Sequence, residues 1–399
     1  MVAALVAPQP VEEVPLALAR GRVLARDVVS AVSLPPFANS AMDGYAVRAA
    51  DVAGAGDAAP VVLPVAADLP AGRTDVPPLE PGTAHRIMTG APLPAGADAV
   101  VPVERTDAGR ERVAVRAVPE VGAFVREAGE DVVAGSVVLT AGTVLRAPQI
   151  GLAAAVGLPV LPVRRRPVVL VLSTGSELVA PGGELAPGQI YESNGPMLAA
   201  AVEEAGGRAE LLRFVPDDAE EFLGRLRERI GAVEGGVDLV LTSGGVSAGA
   251  YEVVKDALTG RGVDFVKVAV QPGGPQGAGR VDELGGVAVV TLPGNPVSSH
   301  VSFEVFVRPA LRAATGHPHP DRPVVTATLG EPWTSPPGRR QYRRGVLDAV
   351  RGTVTEVGTA ASHLLAALAR AECLVVVGED ATTLPAGTAV EIWLLDEQM

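Results

Sequence analysis

The sequence predicts a multidomain chain of class α/β plus β, with a central parallel-sheet α/β domain, a β-rich domain and a C-terminal small β-barrel. Three observations carry this. The length of 399 residues, at roughly 150 residues per domain, calls for more than one core. Between residues 167 and 317, apolar runs alternate with helix-like stretches, starting with the uninterrupted run Val168 to Ser173, the pattern of strands buried on both faces. On either side of that region, short β-like runs are cut by Pro and Gly turns, the pattern of small antiparallel sheets.

Taken in order, residues 1–30 read as helical, with Leu16, Leu18, Val23 and Leu24 among charged positions. They join residues 140–166, where 143–157 is an Ala-rich helix and Arg164-Arg165-Arg166-Pro167 a solvated closing linker, as one helical linker domain. Residues 31–139 form the β-rich domain, from runs such as Val61-Val62-Leu63, Ala99-Val100-Val101 and Arg112 to Val118. In the α/β domain, 167–317, strands are expected near 209–215, 238–243, 263–270 and 287–292, and helices near 194–205, 217–233, 251–260 and 297–313. Residues 318–399 return to short strands (Pro323 to Leu329, Val346 to Val350, Thr353 to Val357, Val390 to Leu395), the material of a barrel.

Charge and composition remove several function classes. The 33 basic residues against 46 acidic ones leave a net charge of -13, which argues against nucleic-acid and anionic-membrane binding. Just two of the basic residues are lysines, Lys255 and Lys267, so 31 are arginines. One cysteine, Cys373, heads an apolar run and reads as a buried structural thiol. Met1 to Ala7 lacks a basic start and meets Pro8, unlike a signal peptide. The longest uncharged stretches are broken by prolines, so no membrane span is expected, and the reading is cytoplasmic.

Ligands of open parallel sheets bind beyond the carboxyl ends of the strands. Three Gly-rich loops follow predicted strands there: Ser173-Thr174-Gly175-Ser176-Glu177, Thr242 to Gly249, and Leu292-Pro293-Gly294-Asn295-Pro296-Val297-Ser298. Glycines let backbone approach a ligand, and amides opening the next helix hold phosphate oxygens, so a phosphorylated or nucleotide-like ligand is expected. Neither a Walker loop nor G-x-G-x-x-G stands in this region. Glu177 and Glu252, in or beside these loops, are candidate ligands of Mg²⁺, a hard ion that takes carboxylate oxygens. Asp217-Asp218 reads as a helix N-cap, and His317-Pro318-His319 as solvent-exposed rather than a metal pair.

The chain resembles a known family, the molybdopterin molybdenumtransferases (MoeA), which include the C-terminal domain of gephyrin. The matching text is Asn39-Ser40-Ala41-Met42-Asp43-Gly44-Tyr45-Ala46, Met88-Thr89-Gly90-Ala91-Pro92-Leu93-Pro94, Arg126-Glu127-Ala128-Gly129-Glu130-Asp131 and Ser173-Thr174-Gly175-Ser176-Glu177-Leu178. It continues through Gly188-Gln189-Ile190-Tyr191-Glu192-Ser193-Asn194, Ser243-Gly244-Gly245-Val246-Ser247 and Leu292 to Ser298, in the family's order over nearly the whole chain. The resemblance implies an elongated homodimer whose cleft lies between the α/β domain of one subunit and the β-rich domain of the other. Adenylylated molybdopterin and molybdate would be the substrates, AMP a product, and Mg²⁺ the cofactor, with contact to other molybdenum cofactor enzymes possible.

By matching position the resemblance gives catalytic roles to Asp43, Thr89, Glu177 and Glu252, the two glutamates on the metal side. Substrate binding falls to Ser40, Thr174, Gly175, Ser243, Gly244, Gly245 and Ser247, to Gln271, and to Pro293, Gly294, Asn295 and Ser298. Arg339 and Ser362 would be brought in from the C-terminal domain. The departures concentrate in Gln271 to Gly279, where Gly274 replaces the family's more typical lysine and Ala278 an aromatic; Arg280, Arg339 and Lys267 are the candidate replacements. Glu252 stands for an aspartate, and Ala38 for an acidic residue before Asn39. Two expectations follow: an active molybdenum-inserting transferase, and a catalytically impaired paralogue that binds pterin or nucleotide, or scaffolds other enzymes.

Overall fold

The computed structural model describes residues 1–213, 218–245 and 253–396; Asp217, Ser247 and Glu252 lie outside the described residues. At the centre is a six-stranded sheet in the order Arg208–Arg213, Val168–Ser173, Leu239–Ser243, Val287–Leu292, Pro275–Val281, Val263–Lys267. The first four strands are mutually parallel, and Pro275–Val281 runs antiparallel to both its neighbours. Strand alternation sends Val169 and Val171 to one face and Leu170 and Leu172 to the other. One face packs on helix Asn194–Glu204 and on the helical run 296–314, the other on helices Ala219–Ala232 and Val253–Leu258. Asp218 caps Ala219–Ala232 by accepting the Glu221 amide at 2.8 Å, as its position before the helix predicts.

The sequence reading places no strand between 270 and 287, yet Pro275–Val281 is one. Pairing on both edges makes it a strand, and its glycine is needed: a Cβ on Gly277 would meet Phe265 and Thr291 side chains at 2.8 and 2.4 Å. Ala278 is accordingly a buried sheet residue.

The N-terminal segment also departs from its helical reading. Residues 1–30 hold the strand Val11–Pro15, paired antiparallel with Val160–Arg164, and 3₁₀ turns at Val2–Ala4 and Leu16–Leu18. Pro8, Pro10 and Pro15 interrupt any longer helix. Helix Ala147–Ala155 does form, and with these strands buries Val14, Leu24, Leu145 and Leu161. The closing arginines are not simply solvated, since Arg165 Nη2 donates to both carboxylate oxygens of Asp238 at 2.7 and 2.8 Å. In the region 31–139 a five-stranded sheet runs Ala99–Pro102, Gly44–Val47, Ala84–Ile87, Val61–Leu69, Arg112–Val115. Gly44 lies so close to its neighbour strand that a Cβ would sit 2.0 Å from the Val101 carbonyl oxygen.

Near the C-terminus, Arg340–Asp348, Thr353–Glu356, Val324–Leu329, Ala389–Leu394 and Cys373–Val377 close into a five-stranded barrel by pairing of the last with the first. Cys373 is fully buried among Val354, Val375 and Ile392, and burial pushes its thiol up to about 12. It is the structural thiol that its sequence context predicts.

Barrel and α/β sheet meet through Val297, Val301, Tyr342, Leu368 and Leu374, and through a buried carboxylate. Glu304, 1% exposed, receives a two-pronged contact from Arg322 at 2.7 and 3.0 Å, with Arg308 Nε at 3.7 Å and His300 Nε2 at 3.9 Å. Arg322 also donates to the Leu395 carbonyl and Arg308 to the Pro320 carbonyl, so both ends of the connection into the barrel are tied to one helix. Removing one partner of such a pair leaves buried charge uncompensated, at about 3–5 kcal/mol. Glu304→Gln is therefore expected to lower stability by about 3 kcal/mol or more in denaturant titration. Arg340→Ala, which breaks a half-exposed pair with Glu379, should change it by at most about 1 kcal/mol.

Candidate functional site

The order of strands reverses direction beside Val168–Ser173: the next strand joins one edge and Leu239–Ser243 the other. Ser173 and Ser243 end these neighbours in register, and the crevice between their loops is where such sheets take ligands. A cleft of about 750 Å³ opens there, lined by Ser173, Thr174 and Glu177, by Ser243, Gly244 and Gly245, and by Pro293, Gly294, Asn295 and Ser298. The described part of each of the three Gly-rich loops lines it.

Ser243 holds the loops together. Its Oγ accepts from Asn194 Nδ2 at 2.9 Å, donates to the Pro293 carbonyl at 3.2 Å and lies 3.1 Å from Ser299 Oγ. Asn194 Nδ2 also reaches the Gly294 carbonyl at 2.7 Å. Gly244 has φ +92°, and a Cβ there would sit 2.9 Å from the Thr174 carbonyl, so this close approach of the first two loops requires a glycine. Beside this hub, buried Glu192 accepts the Gly195 amide at 2.5 Å, fixing the start of helix Asn194–Glu204.

Oxygen atoms dominate the floor. Ser173 Oγ and Asn194 Oδ1 are buried without a hydrogen-bond partner among the described residues. The Glu177 carboxylate folds over Gly175, where a Cβ would meet both its oxygens at 2.6 Å. A carboxylate, a hydroxyl and an amide oxygen are the donors a hard divalent cation takes, so the residues present fit Mg²⁺. Among the described residues, no group of three or more His, Cys, Asp or Glu is placed to hold a metal ion. The outer wall is apolar: Ile190 and Tyr191 line the cleft while 56% and 48% exposed, and the Tyr191 hydroxyl donates to the Gly183 carbonyl at 3.0 Å. From the barrel side comes His363, next to Ser362, whose carbonyl accepts the Val297 amide at 3.1 Å.

Other expected residues lie apart. Ser40, Asp43 and Thr89 do not line this cleft. They form a constellation of their own, in which Asp43 Oδ1 accepts both the amide and the hydroxyl of Thr89 at 2.7 Å. The Thr89 amide first, and its hydroxyl second, hold the Asp43 carboxyl below the usual carboxylate range. Gln271 is engaged by Gln341 Nε2 at 3.0 Å, and Arg339 is exposed; neither lines the cleft. Gly175 flanks it between Thr174 and Glu177. Glu192, Asn194, Tyr191 and His363 were not singled out from sequence as site residues. The first three stand in the matching segment Gly188 to Asn194, to which no role was given, and contacts 49 and 100 residues away reveal Asn194.

At the altered loop, a Cβ on Gly274 would lie 3.9 Å from Lys267 Cγ and 3.5 Å from the Val268 carbonyl, ordinary contacts. The stem of Lys267 thus passes the position where the resemblance expects a lysine. Arg280 is committed elsewhere, to the Gly286 and Leu5 carbonyls.

Fold and cleft define an α/β protein with a Gly-lined cleft at its strand-order switch, joined to β-rich regions and a barrel. Family models match residues 1–157 as the MoeA N-terminal region (domain I and II), 170–313 as a probable molybdopterin binding domain, and 326–395 as the MoeA C-terminal region (domain IV). Molybdopterin molybdenumtransferase 2 of Mycobacterium tuberculosis is 55% identical over 387 residues, covering 95% of this chain and 94% of that protein. Molybdopterin molybdenumtransferase 1 of the same organism is 41% identical, covering 98% and 96%. The crystal structure of the molybdopterin biosynthesis MoeA protein from Pyrococcus horikoshii superposes with TM-score 0.82 at 32% identity, covering 99% of this chain and 97% of that one. The chain belongs to the molybdopterin molybdenumtransferase (MoeA) family, transferases of molybdenum cofactor biosynthesis. The impaired-paralogue expectation is not favoured by these relatives.

Because the Asp43 carboxyl is depressed, it keeps its charge further into acid than an ordinary aspartate, and any stability it lends is lost as pH falls through its folded-state value. Thr89→Val keeps the amide and removes the hydroxyl, so Asp43 should titrate at higher pH in carboxyl ¹³C NMR. An unchanged titration would show that the hydroxyl contributes nothing.

Proposed function

We propose that this chain inserts molybdenum from molybdate into adenylylated molybdopterin, with release of AMP, and that the Ser243-centred cleft is where the phosphate-bearing substrate sits. The observation that supports it best is the convergence of three Gly-rich loops at one strand-order switch, with two unpartnered buried oxygens beside Glu177. The loop amides and the hydroxyls of Thr174 and Ser298 hold phosphate oxygens. Tyr191 and Ile190 offer a flat apolar wall to a ring. Glu177, Ser173 and Asn194 would hold Mg²⁺, with Glu252 as the second carboxylate of the resemblance. When bound, the ion offsets charge on the departing AMP phosphate.

Ser40, Asp43 and Thr89 act in this reading from the β-rich region of a second subunit of a homodimer. Their separation from the cleft within one chain agrees with that reading. We further propose that Lys267 supplies the cation that Gly274 lacks, since its stem runs past that position. The working division of the chain is 1–30 with 140–166, 31–139, 167–317 and 318–399, supported by an apolar cluster centred in each region, with Val6 of the first packing into the cluster of the third.

AMP release from adenylyl-molybdopterin, measured with and without molybdate, tests the function: molybdate should stimulate it, and turnover indifferent to molybdate would refute the assignment. Asn194→Ala, which unties two loops, should lower the rate about 10-fold or more, the scale of misplaced positioning groups. Lys267→Met should raise the KM for molybdate, and Gly274→Lys in that background should restore it; no change in either would remove Lys267 from the site.

A further inference from the structure

A second hollow, of about 840 Å³, lies between the N-terminal and linker segments and the ends of two helices of the α/β sheet. It is separate from the Ser243 cleft, sharing no lining residue with it. Six arginines line it, Arg20, Arg22, Arg146, Arg164, Arg166 and Arg312, against a single carboxylate, Glu204. They arrive from four separated stretches of a chain whose net charge is -13, so the enrichment is not a general basic background. An adjoining hollow of about 530 Å³ shares Arg146, Arg312 and His317 and adds Arg322 and Asp321.

Part of this charge is already answered. Arg22 pairs with Glu12, and Arg166 with Glu203 at 3.2 Å. Arg164 donates to the Gln9 carbonyl, and the ring of His317 contacts Arg312. The last turns of helices Asn194–Glu204 and Arg308–Ala314 each bring about half a negative charge. Arg20 and Arg146, both exposed, have no carboxylate partner among the described residues. A concave space of this size with excess guanidinium suits a compact anion rather than a flat macromolecular face.

We infer that this hollow is a second, non-catalytic binding site for a small molecule carrying two or more phosphate groups, with Arg20 and Arg146 as its free contacts. Such a ligand would bridge the N-terminal and linker segments to the α/β sheet and hold their relative position. The inference does not depend on the reaction assigned to the Ser243 cleft.

The test is calorimetric titration of the full chain with inorganic tripolyphosphate at physiological salt, repeated with ATP and AMP. The expected result is one tripolyphosphate site that Arg20→Ser/Arg146→Ser weakens about 10-fold or more while Asn194→Ala leaves it intact. Competition by ATP but not AMP would extend the site to nucleotides, and absence of competition would confine it to inorganic oligophosphate. Both arginines are exposed, so the variant is expected to fold, with an unchanged melting transition as the control. Absence of binding, loss through Asn194→Ala alone, or equal weakening by the distant exposed Arg351→Ser would each overturn the inference. So would a change of oligomeric mass in the double variant without tripolyphosphate binding, because the hollow would then be a contact between copies.

Discussion

A single carboxylate without water determines where the barrel stands. Taking Glu304 out of solvent costs several kcal/mol, recovered only if its oxygens meet cations in good geometry. Arg322 meets that demand from the segment entering the barrel, and the same guanidinium reaches the Leu395 carbonyl where the barrel's last strand has ended. Helix, connection and final strand are therefore fixed by one charge balance. The Val297 amide to Ser362 carbonyl bond and the presence of His363 on the cleft wall follow from that placement. Glu304 acts on the cleft through the position of the barrel, without touching it.

How much of this was legible in the sequence depended on whether each segment's structure is local. Val168–Ser173, Leu239–Ser243 and Val287–Leu292 are continuous apolar runs, and each is a strand buried on both faces. Val11–Pro15 could not be read, because its strand state is imposed by Val160–Arg164, far along the chain. Pro275–Val281 could not either: a stretch with two glycines and one glutamine becomes a strand because two neighbours offer it both edges. The candidate site divides in the same way. Gly-rich loops after apolar runs announce themselves, whereas Asn194 and Glu192 acquire their roles only when helix Asn194–Glu204 brings them against Ser243 and the Gly195 amide.

Charge in this chain is placed rather than spread. An acidic protein with 31 arginines uses many of them to satisfy backbone carbonyls and buried carboxylates, as Arg165, Arg308, Arg322 and Arg344 do. Arginine suits that task because its planar fork makes several directed bonds at once. The two lysines are a different resource, a point charge on a flexible stem. That one of them passes the glycine of the altered loop is a local relocation of charge, invisible to any position-by-position reading of the sequence.

The barrel's closure has a consequence for how this protein can be observed. Its sole thiol sits among aliphatic side chains with no exposure and is protonated at any ordinary pH. Alkylating reagents attack thiolates, so the folded barrel is inert to them until its wall opens. Cys373 is thus a built-in reporter: the rate at which it is labelled measures how often the barrel breathes, with no engineered probe and no second cysteine to confuse the signal.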